Sequence, residues 1–227
     1  MDFLKGEILI INKPLNWTSF DVVNKIRYQI KQKLGIKKIK VGHAGTLDPL
    51  ATGVLVICTG KKTKEITSFI NDDKVYEGII QLGSTTPSFD LETSIDNTYP
   101  TEHISDNKIK EIEALLIGEH LQEPPIFSAK RINGKRAYDL ARKGEDVKLK
   151  KSKIIINSLN FKLTDNDQLS FVISCSKGTY IRALARDIGV KLDSGAHLIK
   201  LVRTASGQFT LSQAKDINTY LSIIDTI

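Results

Sequence analysis

The stretch Val41–Ile57 reads VGHAGTLDPLATGVLVI, and within it only His43 and Asp48 can ionise. The nearest acids along the chain are Asp21 and Glu65. A carboxylate between Leu47 and Pro49-Leu50 has apolar local company. Once buried, its charged form needs a cation or hydrogen-bond donors, or its pKa climbs. Pro49 biases Asp48 away from helical backbone, while Gly42, Gly45 and Gly53 permit sharp turns and close approach of a second backbone. The combination suits a carboxylate presented to a substrate at the end of a strand. An aspartate before proline also makes ordinary Asx turns, so these residues alone leave both readings open.

Other chemistries fit less well. A phosphate-cradling loop needs GxxxxGK[ST], and Gly60-Lys61-Lys62-Thr63 only approaches it. No serine sits in GxSxG. The histidines His43, His103, His120 and His197 and the cysteines Cys58 and Cys175 show neither metal-ligand spacing nor a CxxC pair. No metal is expected. A glycosidase or nuclease would need a second positioned carboxylate or a metal cluster, and no acid lies near Asp48 in sequence.

Charge is segregated along the chain. The formal net charge is +7 over 227 residues, yet Lys25 to Lys40 alone holds seven Lys/Arg and no acid. Pro124 to Lys153 holds ten Lys/Arg against three acids, whereas Val41–Glu123 holds six Lys and fourteen acids. Two cationic clusters on an otherwise acidic chain suit a polyanion, although a charge run is often only a solvated face. No apolar run approaches the ~20 residues of a membrane span, and the N-terminus lacks a signal pattern, so a cytoplasmic protein is expected.

The elements that must position Asp48 are legible from hydrophobic spacing. Strands are expected at Gly6–Asn12, Val54–Cys58, Lys74–Leu82, Ile154–Leu163, Leu169–Ser176 and His197–Thr204. Helices are expected from Thr18 or Ser19 to Gly35, then at Lys64–Ile70, Ser105–Ile117, Thr179–Leu192 and Ser212–Ile224. Without a regular βαβ rhythm this is α+β, with a mixed, largely antiparallel sheet. Ser84–Asp106 and Pro124–Lys151 read as insertions outside the core.

The run GHAGTLDPLATGVL, Gly42 to Leu55, resembles the catalytic motif of the TruB-type tRNA pseudouridine synthases. The resemblance continues in order through Asn12-Lys13-Pro14 with Trp17-Thr18-Ser19, KVYEG around Tyr76, and PPIFSAKRINGKRAYDLARKGE from Pro124. It ends with SKGTYIRALARDIG from Ser176 and LVRTASGQF from Leu201. It implies isomerisation of uridine 55 in the T-loop of tRNA by a pseudouridine synthase fold, whose mixed sheet is flanked by helices and split by an RNA-binding cleft. One catalytic domain over 1–227 is expected, with 124–151 a mobile RNA-clasping insertion. The resemblance implies no organic cofactor, and the chain is expected to lack the family's C-terminal PUA domain, whether naturally or by truncation. A monomer without obligate protein partner or membrane attachment is expected.

Residue by residue, the resemblance implies that Asp48 is the essential carboxylate, either attacking C1′ or deprotonating C2′. Arg182 would pair with it, Tyr76 would stack on the target uracil, and Tyr180 and Leu201 would line the same pocket. His43 would fill the space vacated by the flipped uridine. Lys13, Lys130, Arg131, Lys135 and Arg136 would contact the RNA. Asp90 aligns with an acid of the family's T-x-T-x-D-x-x-G stretch, which here reads Thr86-Pro87-Ser88-Phe89-Asp90-Leu91-Glu92-Thr93, so its role stays open. A tRNA-binding protein without catalysis would carry the same blocks with decayed pocket residues; Asp48, Tyr76 and Arg182 are all present.

Overall fold

The computed structural model describes residues 1–128, 131–132, 135–136, 149–164 and 167–226. In chain order the elements begin β1 (Ile8–Lys13), α1 (Ser19–Leu34), β2 (Val41–His43), β3 (Ala51–Thr59), α2 (Ile66–Asn71) and β4 (Lys74–Leu82). They continue β5 (Ser84–Thr85), β6 (Asn97–Thr98), α3 (Asp106–Leu116), β7 (Gly118–Gln122), β8 (Arg131–Ile132) and β9 (Lys135–Arg136). The last are β10 (Ser152–Thr164), β11 (Gln168–Cys175), α4 (Ile181–Lys191), β12 (Ala196–Ser206), β13 (Phe209–Thr210) and α5 (Ile217–Asp225). Among the described residues no helix is long and apolar enough to cross a membrane.

The chain divides into two compact units, Met1–Glu77 with Leu201–Ile227, and Gly78–Lys200. In the first, the hydrogen-bonded order is β1-β3-β12. β3 runs antiparallel to β1, from Ile8↔Cys58 to Lys13↔Gly53, and parallel to β12, with Leu201↔Ala51 and Arg203↔Gly53. Val54, Leu55, Val56, Ile57 and Cys58 are all fully buried, so the strand is covered on both faces. That burial explains why it reads as a continuous apolar run without alternation. One face packs Ala44, Val54, Val56, Cys58 and Phe209 with Ile66 and Phe69.

α1 forms because its ends are chemically marked. Thr18 and Asp21 make a reciprocal capping box, and Gly35 closes the helix in the left-handed conformation at φ 62°. Its inner face buries Val22, Val23, Ile26 and Ile30 at helical spacing.

The second unit orders its strands β4-β11-β10-β7, and β10 and β11 form a long antiparallel hairpin from Ile156↔Cys175 to Thr164↔Gln168. α3 packs on β10. The mixed, mainly antiparallel α+β class expected from the sequence is the class found.

Two expectations are corrected, and one strand was not expected. Ser212–Ile224 is not one helix: Leu211–Gln213 is a 3-10 turn and Lys215 bridges Ile11, before Asp216 caps α5. Asn12 N and Lys215 O bond at 2.9 Å and Lys215 N and Ile10 O at 3.0 Å, so β1's open edge outcompetes helix propensity there. Ser84–Asp106 is not peripheral throughout, because Ser84, Thr86, Ser88 and Asp90 are buried. Finally, Gly118 ends α3 and also opens β7, an edge strand too polar for its pattern to announce it. The expectation for Pro124–Lys151 falls largely outside the described residues.

Gly53 has φ 101°, and a Cβ there would meet Arg203 O at 2.2 Å. Gly53→Ala should therefore lower unfolding free energy by about 3 kcal/mol, combining left-handed strain with loss of the β3–β12 approach. Urea titration checks this; a loss under about 1 kcal/mol would mean that β12 can move away freely.

Candidate active site

The loop between β2 and β3 carries Asp48, half-buried, between buried Ala44 and Leu47. Its backbone is tied at every turn. Ala44 N donates to Val56 O at 2.9 Å, and Ala51 N to Asp48 O at 3.1 Å. Ser19, buried in the first turn of α1, donates its Oγ to Leu47 O at 3.1 Å and accepts from Leu47 N at 2.8 Å. Asn16 N donates to Pro49 O at 2.9 Å. The α1 start and the loop thus fix each other.

Two buried cations hold the same backbone from below. Lys13 is 0% exposed, and its Nζ donates to Trp17 O at 2.5 Å, Pro14 O at 2.9 Å and Pro49 O at 3.3 Å. Arg203, 1% exposed, donates from Nε to Val54 O at 2.7 Å, from Nη2 to Gly45 O at 3.0 Å and from Nη1 to Thr46 O at 3.5 Å. Carbonyl oxygens therefore satisfy most donors of both groups, which makes their burial tolerable. Burial pulls the Lys13 ammonium down to about 8; the Asp48 charge opposes this shift and the Arg203 charge adds to it. Lys13 and Asp48 are thus within electrostatic reach of each other.

This corrects one expectation. Lys13 is not placed to contact RNA: its ammonium is spent on three carbonyls inside the protein. Arg203, within LVRTASGQF, braces the loop that carries Asp48. A charged residue directly after the apolar Leu201-Val202, in a strand pattern, is the available signal.

His43 pairs with Ile57 between β2 and β3. Burial, and secondarily the Arg203 charge, push its imidazole below the usual value, while a backbone contact with Gly45 opposes them. The ring is therefore neutral at neutral pH. Tyr76 on β4 and Leu201 on β12 are buried in this first unit.

The second unit fixes Tyr180 and Arg182. Gln122, buried on β7, grips the Tyr180 backbone reciprocally: its Nε2 donates to Tyr180 O at 3.0 Å and its Oε1 accepts from Tyr180 N at 2.8 Å. Arg182, in the first turn of α4, is buried and lies with its Nε 3.5 Å from Oδ2 of buried Asp90. Its Nη1 donates to Ser88 O at 3.2 Å and its Nη2 to Phe127 O at 3.0 Å. Asp90 Oδ1 accepts from Glu92 N at 3.0 Å, and Thr93 Oγ1 accepts from Ser88 N at 3.0 Å. The open question over Asp90 is thereby answered: it is an ion-pair partner of Arg182, and Thr93 replaces the family's glycine without breaking the loop. Gln122 had no signal in the sequence, since its partner is a backbone 58 residues away.

Of the basic residues expected on RNA, Lys130 lies outside the described residues. Arg131, Lys135 and Arg136 are described through the backbone of β8 and β9, paired Arg131↔Arg136 and Ile132↔Lys135. The dipeptide between them is Asn133-Gly134, a sequence signal for a two-residue hairpin. Among the described residues no group of His, Cys, Asp and Glu could hold a metal ion.

Comparison with known proteins matches residues 31–181 to the TruB family pseudouridylate synthase (N terminal domain). A tRNA pseudouridine synthase B of Phocaeicola vulgatus is 56% identical over 225 residues, covering 99% of this chain and 96% of that protein. One of Parabacteroides distasonis is 57% identical over 211 residues, covering 93% and 90%. Among solved structures, a chain in a Cbf5-Nop10-Gar1 complex superposes with TM-score 0.71 at 25% identity. The match covers 97% of this chain but 54% of that one, so this chain spans about half the length of that relative.

Two measurements test the clamp. Arg203→Lys cannot span the same three carbonyls and should cost about 3 kcal/mol of stability. For Lys13 the folded pKa of about 8 lies below the unfolded 10.5. Between those values the unfolded chain holds a proton that the folded one has released, so stability rises with pH. Wild type should gain stability relative to Lys13→Met from pH 8 upward; parallel pH curves would refute the buried ammonium.

Proposed function

Because the chain belongs to the TruB family of pseudouridylate synthases, we propose that it isomerises a uridine of tRNA to pseudouridine, at position 55 in the T-loop. The observation that carries this reading is the Asp48 loop, pinned through its carbonyls by buried Lys13 and Arg203. The reaction breaks the bond between C1′ and N1, turns the uracil, joins C5 to C1′ and transfers the C5 proton to solvent while N1 regains one. Atoms and electrons balance without an external reagent, so one carboxylate in a closed pocket meets the chemical demand.

In this reading Asp48 acts on the sugar, at C1′ as nucleophile or at C2′ as base. Lys13 and Arg203 fix the backbone that presents it. Arg182, held by Asp90, is the arginine that the family resemblance assigns as the partner of the catalytic carboxylate. Tyr76 stacks on the uracil and Tyr180 and Leu201 line its walls; extrusion of the base is needed because the reacting atoms are otherwise enclosed in the folded loop. His43, neutral, takes the vacated space without adding charge. Lys130, Arg131, Lys135 and Arg136 contact phosphates, which set position without reading bases. The protein acts as a monomer in the cytoplasm.

Incubation with a T-arm transcript tritiated at uridine C5 tests the proposal. Wild type should release tritium without added metal, and Asp48→Asn should release none while binding the transcript within several-fold of wild type. Near-normal release by Asp48→Asn would remove the assignment. Asp90→Asn should slow the single-turnover rate by about 10- to 100-fold with little change in binding, because Arg182 loses its buried counter-charge. A change confined to binding would make Asp90 a recognition residue instead.

A further inference from the structure

The outer face of α1 is built differently from an ordinary solvated helix surface. Phe20, Asn24, Tyr28 and Gln32 follow at four-residue intervals, so they form one side-chain row, and all four are exposed. Phe20 is 58% and Tyr28 59% exposed. A single exposed aromatic is commonplace. Here two share a row with two amides, and the row starts beside an open recess of about 470 Å³ lined by Asn16, Trp17, Asp21, Asn24 and Lys25. That volume falls in the range of small-ligand sites. From Phe20 to Tyr28 the row runs about 12 Å, enough for several stacked bases.

The row is edged by cations. Between residues 25 and 40 the chain carries seven Lys/Arg and no acid. Asp21, the acid in the recess, is engaged as the helix cap: Thr18 N and Thr18 Oγ1 donate to its Oδ2 at 2.8 and 2.7 Å. The Arg27 guanidinium lies 5.8 Å from the centre of the Phe20 ring and donates to Asn24 Oδ1 at 2.9 Å and Val41 O at 2.9 Å, which fixes that part of the row. The recess is also rigid. Lys13 Nζ holds Trp17 O, and Asn16, in the left-handed conformation at φ 64°, donates to Pro49 O one residue from Asp48.

Aromatic faces for stacking, amides for base edges and lysines for phosphates are what unpaired RNA requires. Lys25 in the recess and Lys31 one turn beyond Tyr28 favour a polyanionic partner. We infer that the solvent face of α1, from the Trp17 recess to Tyr28, is a second RNA-contact surface that stacks unpaired nucleotides of the RNA whose uridine reaches Asp48. The identity of that RNA rests on the proposed function. The surface is separate from the residues assigned there to catalysis and base extrusion.

Trp17 is the chain's single tryptophan, so its fluorescence reports this recess alone. The experiment titrates Asp48→Asn protein with a T-arm hairpin, full-length tRNA and a single-stranded adenylate hexamer. At least one RNA should quench Trp17. Its midpoint should weaken by about threefold or more in both Lys25→Glu/Lys31→Glu and Phe20→Ala/Tyr28→Ala, with helical circular dichroism unchanged. No quenching by any RNA, or a smaller shift in either variant, overturns the inference. So does a dimer of the free protein, seen by sedimentation, that Phe20→Ala/Tyr28→Ala dissolves, since the face would then meet a second copy. Tritium release by wild type is measured in parallel. Release with a silent Trp17 sinks the α1 surface and leaves the isomerase standing, whereas no release removes the isomerase and, with it, the assigned occupant.

Discussion

Everything around Asp48 depends on how two cations are kept inside the protein. Removing an ammonium or guanidinium from water costs several kcal/mol even after relaxation, and that cost must be met by bonds at the new location. Lys13 and Arg203 meet it with backbone carbonyls, which bring dipoles but no net charge. The positive charge is therefore not cancelled by the groups that hold it. The Asp48 charge raises the proton affinity of Lys13, against the effect of burial. The same hydrogen bonds immobilise Gly45, Thr46 and Pro49, so the arrangement fixes where Asp48 sits.

Carbonyl cradles recur elsewhere. Lys74, buried just after α2, donates to Phe69 O at 3.2 Å, Ile70 O at 2.7 Å and also Asp72 O, closing the negative end of that helix. Arg182 bonds two carbonyls as well, but there a carboxylate, Asp90, joins them. The difference matters. The first unit leaves its cations with a field to exert, while in the second unit Asp90 takes part of the charge of Arg182. Arginine suits both settings, since its planar fork reaches several acceptors at once and its proton is not lost on burial, whereas the lysine shifts.

The sequence made the apolar strand and the helix beside it readable because each has one dominant cause. β3 is buried on both faces and reads as an unbroken apolar run, and α1 has a capping box, a helical stripe and a terminal glycine. Its chemistry-bearing loop was readable because a lone carboxylate among glycines and leucines is conspicuous. What stayed hidden depends on distant partners. Nothing local tells Lys13 from an exposed lysine; its burial comes from carbonyls at Trp17 and Pro49. Nothing in Gln122 announces Tyr180, nor in Lys215 the edge of β1. The role of Asp90 stayed open for a related reason: in polar sequence an acid looks solvated, and only the fold reveals that it is buried.

One short segment joins these observations. Lys13 to Ser19 contains the clamp, the left-handed Asn16, the tryptophan whose carbonyl the clamp holds, and the serine that bonds Leu47 in both directions. The loop on one side of this segment and the outer face of α1 on the other are referenced to the same few backbone atoms. A displacement of Asp48 would have to break the bonds to Pro49 and Leu47, and those bonds also define where α1 begins. Loop and helix are thus one rigid piece, with the ordering entropy of the loop spent during folding rather than at the moment an RNA binds. That is why changes at Asn16 or Ser19, neither of which is assigned to touch the reacting uridine, should act on the geometry of Asp48 rather than on its chemistry.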